Sequence, residues 1–227
     1  MTPPPGSVWL WWLAAEQAGP AAMACLTPAE RHRAARLHPP AGQRFAAARA
    51  ALRRILGALT GMPPRTLDLR TDARGRVYLP GGPVFSLSHS AGRVLCAVAA
   101  RGRVGVDVEA HRPVRGVAGL GAELFGADFG ARARAAPPAA RNTLFLAAWT
   151  RAEAVLKAAG TGWAGAGGTV EVGLGGPARV QRAGHALRIR PLALPQPWHA
   201  ALATDFAVQA LRWCGPPLPC RRRRPGP

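Results

Sequence analysis

Apolar stretches separated by proline, glycine and charged residues divide this chain into short strands and a few helices. Residues 8–13 are rich in Trp and Leu and predict a first strand. The segment from Thr27 to Glu30 has the form of a capping box with Pro at the first helical position. It predicts a helix through about Leu37, which the following Pro-Pro pair ends.

The clearest helical pattern in the first hundred residues runs from Gln43 to Leu59, where apolar residues recur every three or four positions. Gly61 supplies the stop signal, and two prolines follow it. The same segment is also strongly basic, since it carries Arg44, Arg49, Arg53 and Arg54.

Three strands are predicted next. Residues 84–90 form a short strand, and residues 93–100 form another. Residues 101–102 are Arg-Gly and predict a turn, so residues 103–109 are expected to pair with the preceding strand as a hairpin.

The second half of the chain is patterned more weakly. Residues 111–140 are dominated by Gly, Ala, Pro and Arg and are expected to be irregular. Asn142 is a suitable N-cap for a helix that ends near Ala159, with Gly160 as its stop. Short β-like runs then follow at 169–172, 186–189, 199–203 and 207–213, before a tail at 216–227 that is expected to be basic and disordered.

Each half thus has a helix and a few strands, which predicts an α+β fold with halves at 1–104 and 105–215. A chain of 227 residues that is 48% hydrophobic can bury a core of that size. The net charge of +19 indicates an anionic partner: a nucleic acid, a nucleotide or an acidic protein. Lys157 is the only lysine, which hints that an ammonium group is needed there.

Two carboxylates stand out in the predicted strand Val-Gly-Val-Asp-Val-Glu. Side chains alternate along a strand, so Asp107 and Glu109 lie on the same face. Adjacent carboxylates repel each other unless a cation lies between them, and paired hard oxygens favour magnesium. The alternative for an isolated pair of this kind is a half-exposed strand with a solvated acidic face.

A second candidate lies on the predicted helix of the second half. Glu153 and Lys157 are four residues apart and share a face with Trp149. The alternative is an ordinary surface ion pair. Against it stand the uniqueness of Lys157 and the scarcity of acidic residues, of which the chain has only 11.

The third candidate is Phe-Ser-Leu-Ser-His-Ser at 85–90, where a strand end carries hydroxyls and one histidine. Such a corner suits phosphate binding. A serine hydrolase is disfavoured because the Gly-x-Ser-x-Gly elbow is absent.

Taken together and in this order, the three motifs resemble the 4'-phosphopantetheinyl transferases of the surfactin-synthetase-activating type. The resemblance extends from about Leu10 to about Trp213, and the motifs lie within 75–163. It implies an α/β pseudo-dimer of two similar halves with the active site in the cleft between them. It also implies a magnesium-dependent enzyme that moves the phosphopantetheine arm of coenzyme A onto a serine of an apo acyl or peptidyl carrier protein, releasing 3',5'-ADP.

The resemblance also implies roles for individual residues. Asp107, Glu109 and Glu153 match the magnesium ligands. Ser88 and His89 match contacts to coenzyme A phosphates, and Lys157 matches the residue that binds the pyrophosphate. Arg76, Arg44 and Arg49 match basic positions near the 3'-phosphate, with Arg76 in place of the usual Lys.

Under this interpretation the catalytic group comprises Glu153, Lys157 and His89, and either Glu153 or a water on the metal takes the proton of the attacking serine. The chain departs from the family pattern at Ala152, where a basic residue is usual, and at Trp163, where an aliphatic residue is common. Neither change removes a predicted ligand.

Three other classes of function remain. A nucleic-acid-binding protein is suggested by the charge, but the chain has no recognisable nucleic-acid-binding motif and only one tyrosine. A family member that binds coenzyme A or a carrier without catalysis is disfavoured by the intact acidic motifs. A different magnesium-dependent phosphotransferase is disfavoured because P-loop and kinase signatures are absent.

The sequence also predicts where the protein works. The apolar stretch 8–13 is far shorter than a membrane-spanning helix, and residues 1–7 lack the positive charge of a secretion signal. We therefore expect a cytoplasmic protein without membrane association. A pseudo-dimer needs no second chain to complete its site, so a monomer is expected. The carrier protein and the pathway stay open.

Overall fold

The structure is a computed structural model that describes residues 2–14, 19–165 and 168–215, so the tail predicted at 216–227 lies outside the described residues. Helices and strands are mixed along the chain, which confirms the α+β prediction. No helix in the described part is both long enough and apolar enough to cross a bilayer.

The elements follow one another closely along the chain. The strands are β1 (Ser7–Ala14), β2 (Arg70–Thr71), β3 (Val77–Tyr78), β4 (Val84–Ser90), β5 (Arg93–Ala99), β6 (Val104–Ala110), β7 (Ala178–Arg182), β8 (His185–Pro191), β9 (Trp198–Thr204) and β10 (Ala210–Cys214). The helices are α1 (Pro20–Met23), α2 (Pro28–Arg36), α3 (Pro39–Thr60), α4 (Val117–Phe125), α5 (Ala127–Ala135) and α6 (Pro138–Ala159), with a 3-10 turn at Pro64–Thr66.

Two four-stranded sheets form the centre of the molecule. The first has the order β10-β1-β5-β4 and the second β6-β9-β8-β7, while β2 and β3 form a separate ribbon. Strand β10 pairs in parallel with β1, whereas β1 and β4 both pair antiparallel with β5. The predicted second half, 105–215, therefore gives its last strand to the first sheet.

Alternation of side chains along the strands places a helix on the outside of each sheet. Trp9 and Trp11 of β1 pack with Leu52, Ile55 and Leu56 of α3. Val8 and Leu10, on the opposite face of β1, join a cluster with Val104, Val106 and Val108 of β6. The two sheets thus share an inner core, and α6 covers the outer face of the second sheet.

Helices α3 and α6 are built alike. Each has 22 residues, each has proline at its start, and each ends at a glycine in the left-handed conformation, as predicted for Gly61 and Gly160. Their predicted starts were wrong. Helix α3 begins at Pro39 rather than Gln43, and α6 begins at Pro138, because proline at the first position lacks only an N–H that has no helical partner.

The predicted hairpin of residues 93–100 and 103–109 was also wrong. Gly102 does turn the chain, with a φ of 88°. However, β5 pairs with β1 and β4, while β6 pairs with β9. The side chain of Asp205, just beyond β9, accepts a hydrogen bond from the backbone N–H of Arg103 at 2.8 Å, which ties the start of β6 to the second sheet.

Residues 111–140 are largely helical, which contradicts the prediction of an irregular segment. Their glycines allow close packing instead of breaking the helices: a Cβ on Gly121 would lie 2.1 Å from the ring of Phe129. Asn142 lies within α6 and accepts a hydrogen bond from the N–H of Val114, so it is not the N-cap. Residues 169–172, predicted as β-like, form no strand.

Candidate active site

A cavity of about 580 Å³ lies between α3 of the first half and the C-terminal end of α6. Its basic and acidic lining residues are Arg44, Arg49, Arg74, Arg76, His89, Lys157 and Glu153. Glu153 is the one carboxylate among the described residues that line the cavity. The structure therefore gathers six of the predicted site residues around one space, and that space is strongly positive.

The arginines of α3 have two different roles. Arg44 and Arg49 line the cavity, whereas Arg53 is buried and donates to both carboxylate oxygens of Glu30, at 2.7 and 2.9 Å. Burial lowers the pKa of the Arg49 guanidinium, and the charge of Glu30 opposes that shift. Arg49 thus stays a cation held at the edge of the cavity, while Arg53 serves the fold.

The loop before β3 presents Arg76 to the cavity. Oδ1 of Asp72 accepts the backbone N–H groups of Arg74 and Arg76, both at 2.9 Å, and Gly75 takes a φ of 82°. The Arg74 side chain donates to the carbonyl of Gly160 at 3.1 Å, which ties this loop to the end of α6. Burial, followed by the charge of Arg103, lowers the pKa of Arg76.

Helix α6 packs directly on β6 because β6 contains a glycine at the crossing point. A Cβ at Gly105 would lie 2.0 Å from the carbonyl oxygen of Ala154, so no larger residue fits there. The close approach brings Nζ of Lys157 to 2.7 Å from Oδ1 of Asp107 and to 3.2 Å from the carbonyl of Val106. The ammonium group therefore joins the acidic strand to the cavity.

Three serines of β4 connect the two sheets. The hydroxyls of Ser86, Ser88 and Ser90 accept the backbone N–H groups of Val106, Val108 and Ala110, at 3.0, 3.4 and 3.2 Å. Ser88 also donates to Asp107 at 2.6 Å, and Ser90 donates to Glu109 at 2.9 Å. The serine side chains thus replace the backbone partner that this edge of β6 lacks, and they orient both carboxylates.

Ser88 and His89 were both predicted to contact phosphates, but they lie on opposite faces of β4. His89 is exposed and lines the cavity, whereas the buried Ser88 hydroxyl points to β6 and is not among the described lining residues. The alternation of side chains in a strand requires this separation. The three serines recur at every second position of a predicted strand, which places their hydroxyls on one face. Their contacts with β6 were not predicted from this spacing.

The acidic strand has the features of a cation site. Oδ1 of Asp107 has two hydrogen-bond partners, whereas Oδ2 is buried and has none among the described residues. A buried carboxylate oxygen without a partner is costly, and a hard cation would satisfy it. Burial raises the pKa of the Glu109 carboxyl; the hydrogen bond from Ser90 opposes the shift and the charge of Asp107 adds to it.

Glu153 lies apart from this acidic strand. In the described part of the chain no three His, Cys, Asp or Glu side chains lie close enough together to hold a metal ion. Oε1 of Glu153 instead accepts a hydrogen bond from the indole N–H of Trp163 at 2.7 Å. Trp163 stands out in the sequence only as a departure from a family pattern. Its contact with Glu153 was not predicted, since the two residues meet only once the chain has turned after α6.

Ala152 is the other departure from the family pattern, and its burial explains why no basic residue lies there. Ala152 is completely buried, so a basic side chain would have no access to solvent there. The preceding Arg151 is also buried, and its guanidinium donates to the carbonyls of Val172 and Gly176. Arg151 thus holds the loop that leads to β7, and neither residue lines the cavity among the described residues.

The chain is similar to one family model and to two known proteins over part of its length. Residues 103–208 match a family model described as the 4'-phosphopantetheinyl transferase superfamily. The chain is 34% identical over 145 residues to the 4'-phosphopantetheinyl transferase HetI of Nostoc sp., with 61% of each chain covered. It is 29% identical over 151 residues to a putative 4'-phosphopantetheinyl transferase of Synechocystis sp., covering 64% of this chain and 61% of that protein. The match thus spans about three fifths of the length of either relative.

Proposed function

We propose that this chain is a 4'-phosphopantetheinyl transferase, which moves the phosphopantetheine arm of coenzyme A onto a serine of an apo acyl or peptidyl carrier protein and releases 3',5'-ADP. The family model covers β6 and α6, and so includes Asp107, Glu109, Glu153 and Lys157. The order of the sequence motifs agrees with the surfactin-synthetase-activating type.

The observation that carries this proposal is the charge of the cavity. Five cationic side chains and a histidine face a single carboxylate around a space of about 580 Å³. Coenzyme A carries a pyrophosphate and a 3'-phosphate, so its recognition requires several cations placed along one cleft. An apolar wall from α3 and β4, which includes Phe45, Leu52 and Phe85, suits the rest of the molecule.

The carboxylates of β6 fit a magnesium ion, and Lys157 joins that strand to the cavity. Asp107 offers its unpartnered Oδ2, and Glu109 lies on the same face of β6. Magnesium is commonly held by one or two carboxylates together with substrate phosphates, so Asp107 and Glu109 would suffice. Glu153 does not form a group of three with them among the described residues. When bound, the ion would neutralise charge on the pyrophosphate as its P–O bond breaks.

The protein side chains account for the remaining chemistry. Arg44, Arg49 and Arg76 bind and orient the phosphates, so positioning and electrostatics supply most of the acceleration. The carrier serine attacks the β-phosphate, and Glu153 accepts its proton at Oε2, since Oε1 already accepts the Trp163 hydrogen bond. Lys157 neutralises the departing 3',5'-ADP from its place at the cavity wall.

The proposal extends to the carrier protein and to the oligomeric state. A chain with a net charge of +19 attracts acidic proteins over a long range, which suits a carrier protein with acidic residues around its serine. The cleft is built from α3 and α6 of one chain, so we propose that a monomer suffices for activity. We also propose that the protein works in the cytoplasm, where its substrates are made.

Intact-mass spectrometry of an apo carrier protein incubated with this chain, coenzyme A and magnesium tests the activity. We expect the carrier to gain one phosphopantetheine group, and we expect EDTA to prevent the gain because the carboxylates then lack their cation. Carriers from fatty acid, polyketide and nonribosomal peptide systems are compared in parallel. If the folded protein binds coenzyme A but leaves every carrier unmodified, the chain is a binding protein and the proposal is wrong.

A substitution of Arg76 tests how coenzyme A lies in the cavity. Replacing Arg76 with glutamine is expected to raise the KM for coenzyme A about tenfold, because a charge-assisted hydrogen bond to the 3'-phosphate is lost. The measurement is steady-state kinetics with coenzyme A and with 3'-dephospho-coenzyme A.

With 3'-dephospho-coenzyme A, wild-type and Arg76→Gln enzymes should have equal KM values. Arg101→Gln is the matched control, because Arg101 is exposed in the turn before β6 and is not among the described residues that line the cavity. A KM difference of the same size with both substrates would show that Arg76 does not contact the 3'-phosphate.

A further inference from the structure

Three arginines lie together on the inner face of the second sheet, the face turned away from α6. The buried residues of β8, Leu187 and Ile189, pack in the cluster beneath α6. Arg188 and Arg190 alternate with them and therefore lie on the opposite face. Arg179 of β7 shares that face, because it pairs in register with Arg188. The same face of the sheet elsewhere buries apolar side chains against the first sheet.

These arginines line a cavity of about 360 Å³, here called the sheet cavity. Its apolar wall includes Leu202 of β9 and Val208 of the segment between β9 and β10. Thr204, the last residue of β9, donates a hydrogen bond to the carbonyl of Phe206 at 2.8 Å, which holds that segment beside the sheet. The sheet cavity shares no described lining residue with the cavity between α3 and α6.

Every charged residue among the described lining of the sheet cavity is positive. Arg179 and Arg188 are directly opposite each other on neighbouring strands, and like charges in that arrangement destabilise a sheet. None of the ion pairs in the described part of the chain involves Arg179, Arg188 or Arg190. The described residues therefore leave this repulsion uncompensated, and a bound anion would relieve it.

The chemistry and the shape of the sheet cavity favour phosphate groups. A guanidinium group donates two parallel hydrogen bonds to phosphate oxygens, and it does so with a rigid, planar fork. Arg188 is half-buried, so it is partly shielded from water, and its attraction to an anion is stronger there than at a fully exposed position. A concave space of this volume accepts a small molecule, whereas an acidic protein surface needs an open patch.

We propose that the sheet cavity is a second anion site, which binds the diphosphate group of a small molecule between Arg179, Arg188 and Arg190. A diphosphate has enough oxygens for three guanidinium groups, whereas a single carboxylate has only two. The wall that contains Leu202 and Val208 suits an organic group beside the phosphates. The inference does not depend on the proposed function, because different residues line the two cavities.

Nuclear magnetic resonance of the arginine side chains tests the site, with pyrophosphate as the probe. The Nε–H resonances are assigned from their loss in Arg179→Gln, Arg188→Gln and Arg190→Gln, and are followed as pyrophosphate is added without magnesium. We expect all three resonances to shift with one dissociation constant. In Arg188→Gln that constant should rise about tenfold or more, because charge-assisted hydrogen bonds to the phosphate are lost.

Two control variants separate the sheet cavity from the rest of the molecule. Arg132→Gln is the matched control, because it removes the same charge from an exposed position on α5 and should change the constant by less than about twofold. Arg76→Gln removes a charge from the other cavity and should have equally little effect. A rise in Arg132→Gln as large as in Arg188→Gln would reveal only general attraction by the net charge of +19, and it would overturn the inference.

Two further probes identify the ligand class. ADP that binds more tightly than pyrophosphate would assign the diphosphate to a nucleotide, and ADP that binds more weakly would assign it to free pyrophosphate. If a glutamate-rich peptide shifts the three resonances at lower concentrations than either, the site takes an acidic protein and the proposal is wrong. Resonances that show no saturable shift with pyrophosphate or ADP also contradict it. Should Arg188→Gln fail to fold, Arg190→Gln provides the same comparison, because Arg190 is exposed.

Discussion

Replacing Asp107 with asparagine is expected to lower the kcat/KM for carrier modification at least about a hundredfold, which corresponds to about 2.7 kcal/mol of transition-state stabilisation. Asparagine has the same shape, but it removes the negative charge that pairs with Lys157 at 2.7 Å. It also puts an amide group where the buried, unpartnered Oδ2 of Asp107 is available to a cation. The substitution should therefore weaken metal binding, and it should also leave the Lys157 ammonium group less firmly placed.

The measurement is steady-state kinetics at saturating coenzyme A, with circular dichroism as the check on folding. The matched control is Asp68→Asn, which makes the same chemical change in the exposed ion pair of Asp68 with Arg70; neither residue is among the described residues that line the cavity. That variant should keep wild-type kinetics, since exposed pairs contribute little. An Asp107→Asn enzyme that retains more than about a tenth of wild-type kcat/KM would contradict the assignment of Asp107 to the metal site.

Replacing Arg53 with methionine is expected to destabilise the fold by about 3–5 kcal/mol, because the largely buried Glu30 carboxylate loses both of its short bonds to a guanidinium. Its remaining cationic partner would be Arg49, at the longer distance of 3.5 Å. The Arg53 side chain is only 2% exposed. Besides its bonds to Glu30, the guanidinium donates hydrogen bonds to the carbonyls of Pro64 and Leu67 at 2.8 and 3.0 Å. Methionine fills a similar volume but satisfies none of these acceptors.

Glu30 links this ion pair to the start of α2. Its carboxylate accepts the N–H of Thr27, and the Thr27 hydroxyl accepts the N–H of Glu30, which confirms the predicted capping box. Arg53 thus connects α2 and the segment after α3 to α3 itself, which forms one wall of the cavity. Its loss should loosen that wall, and coenzyme A binding should weaken along with stability.

Urea unfolding measures the effect of Arg53→Met as a lower midpoint with an unchanged slope. Arg70→Met is the matched control, because the same substitution there removes only exposed contacts, with Asp68 and Tyr78, and its midpoint should not move. A midpoint for Arg53→Met that equals the wild-type value would show that the buried pair contributes nothing beyond what a well-packed apolar side chain supplies.

Local signals in the sequence were sufficient for several features of the site. The alternation in β6 predicted that Asp107 and Glu109 share a face, and both receive hydrogen bonds from serines of β4. The left-handed glycine caps predicted where α3 and α6 end. The shared face of the two carboxylates and the ends of the helices depend on residues a few positions apart, so they can be deduced from spacing alone. The hydrogen bonds from the serines join residues 19 positions apart and were not predicted.

Packing across the molecule decided the features that the sequence did not predict. The glycines of residues 111–140 suggested irregular chain, yet Gly121 permits helix α4 to pack against Phe129. A local Arg-Gly turn suggested a hairpin, yet β6 found its partner β9 about ninety residues later. In both cases the energy comes from burying apolar surface between packed helices and strands, and that energy outweighs the weaker local preference.

The sequence by itself determined the composition of the site: the carboxylates and the single lysine on a predicted strand and helix, and the arginines on a predicted helix and in a loop. Only the tertiary structure decided which of them work together. It assigned Arg53 to the fold and Arg49 to the cavity, and it brought Trp163 to Glu153. Residue types and spacings specify chemistry and local geometry, whereas the choice of neighbours depends on how the two sheets and their helices pack around a shared core.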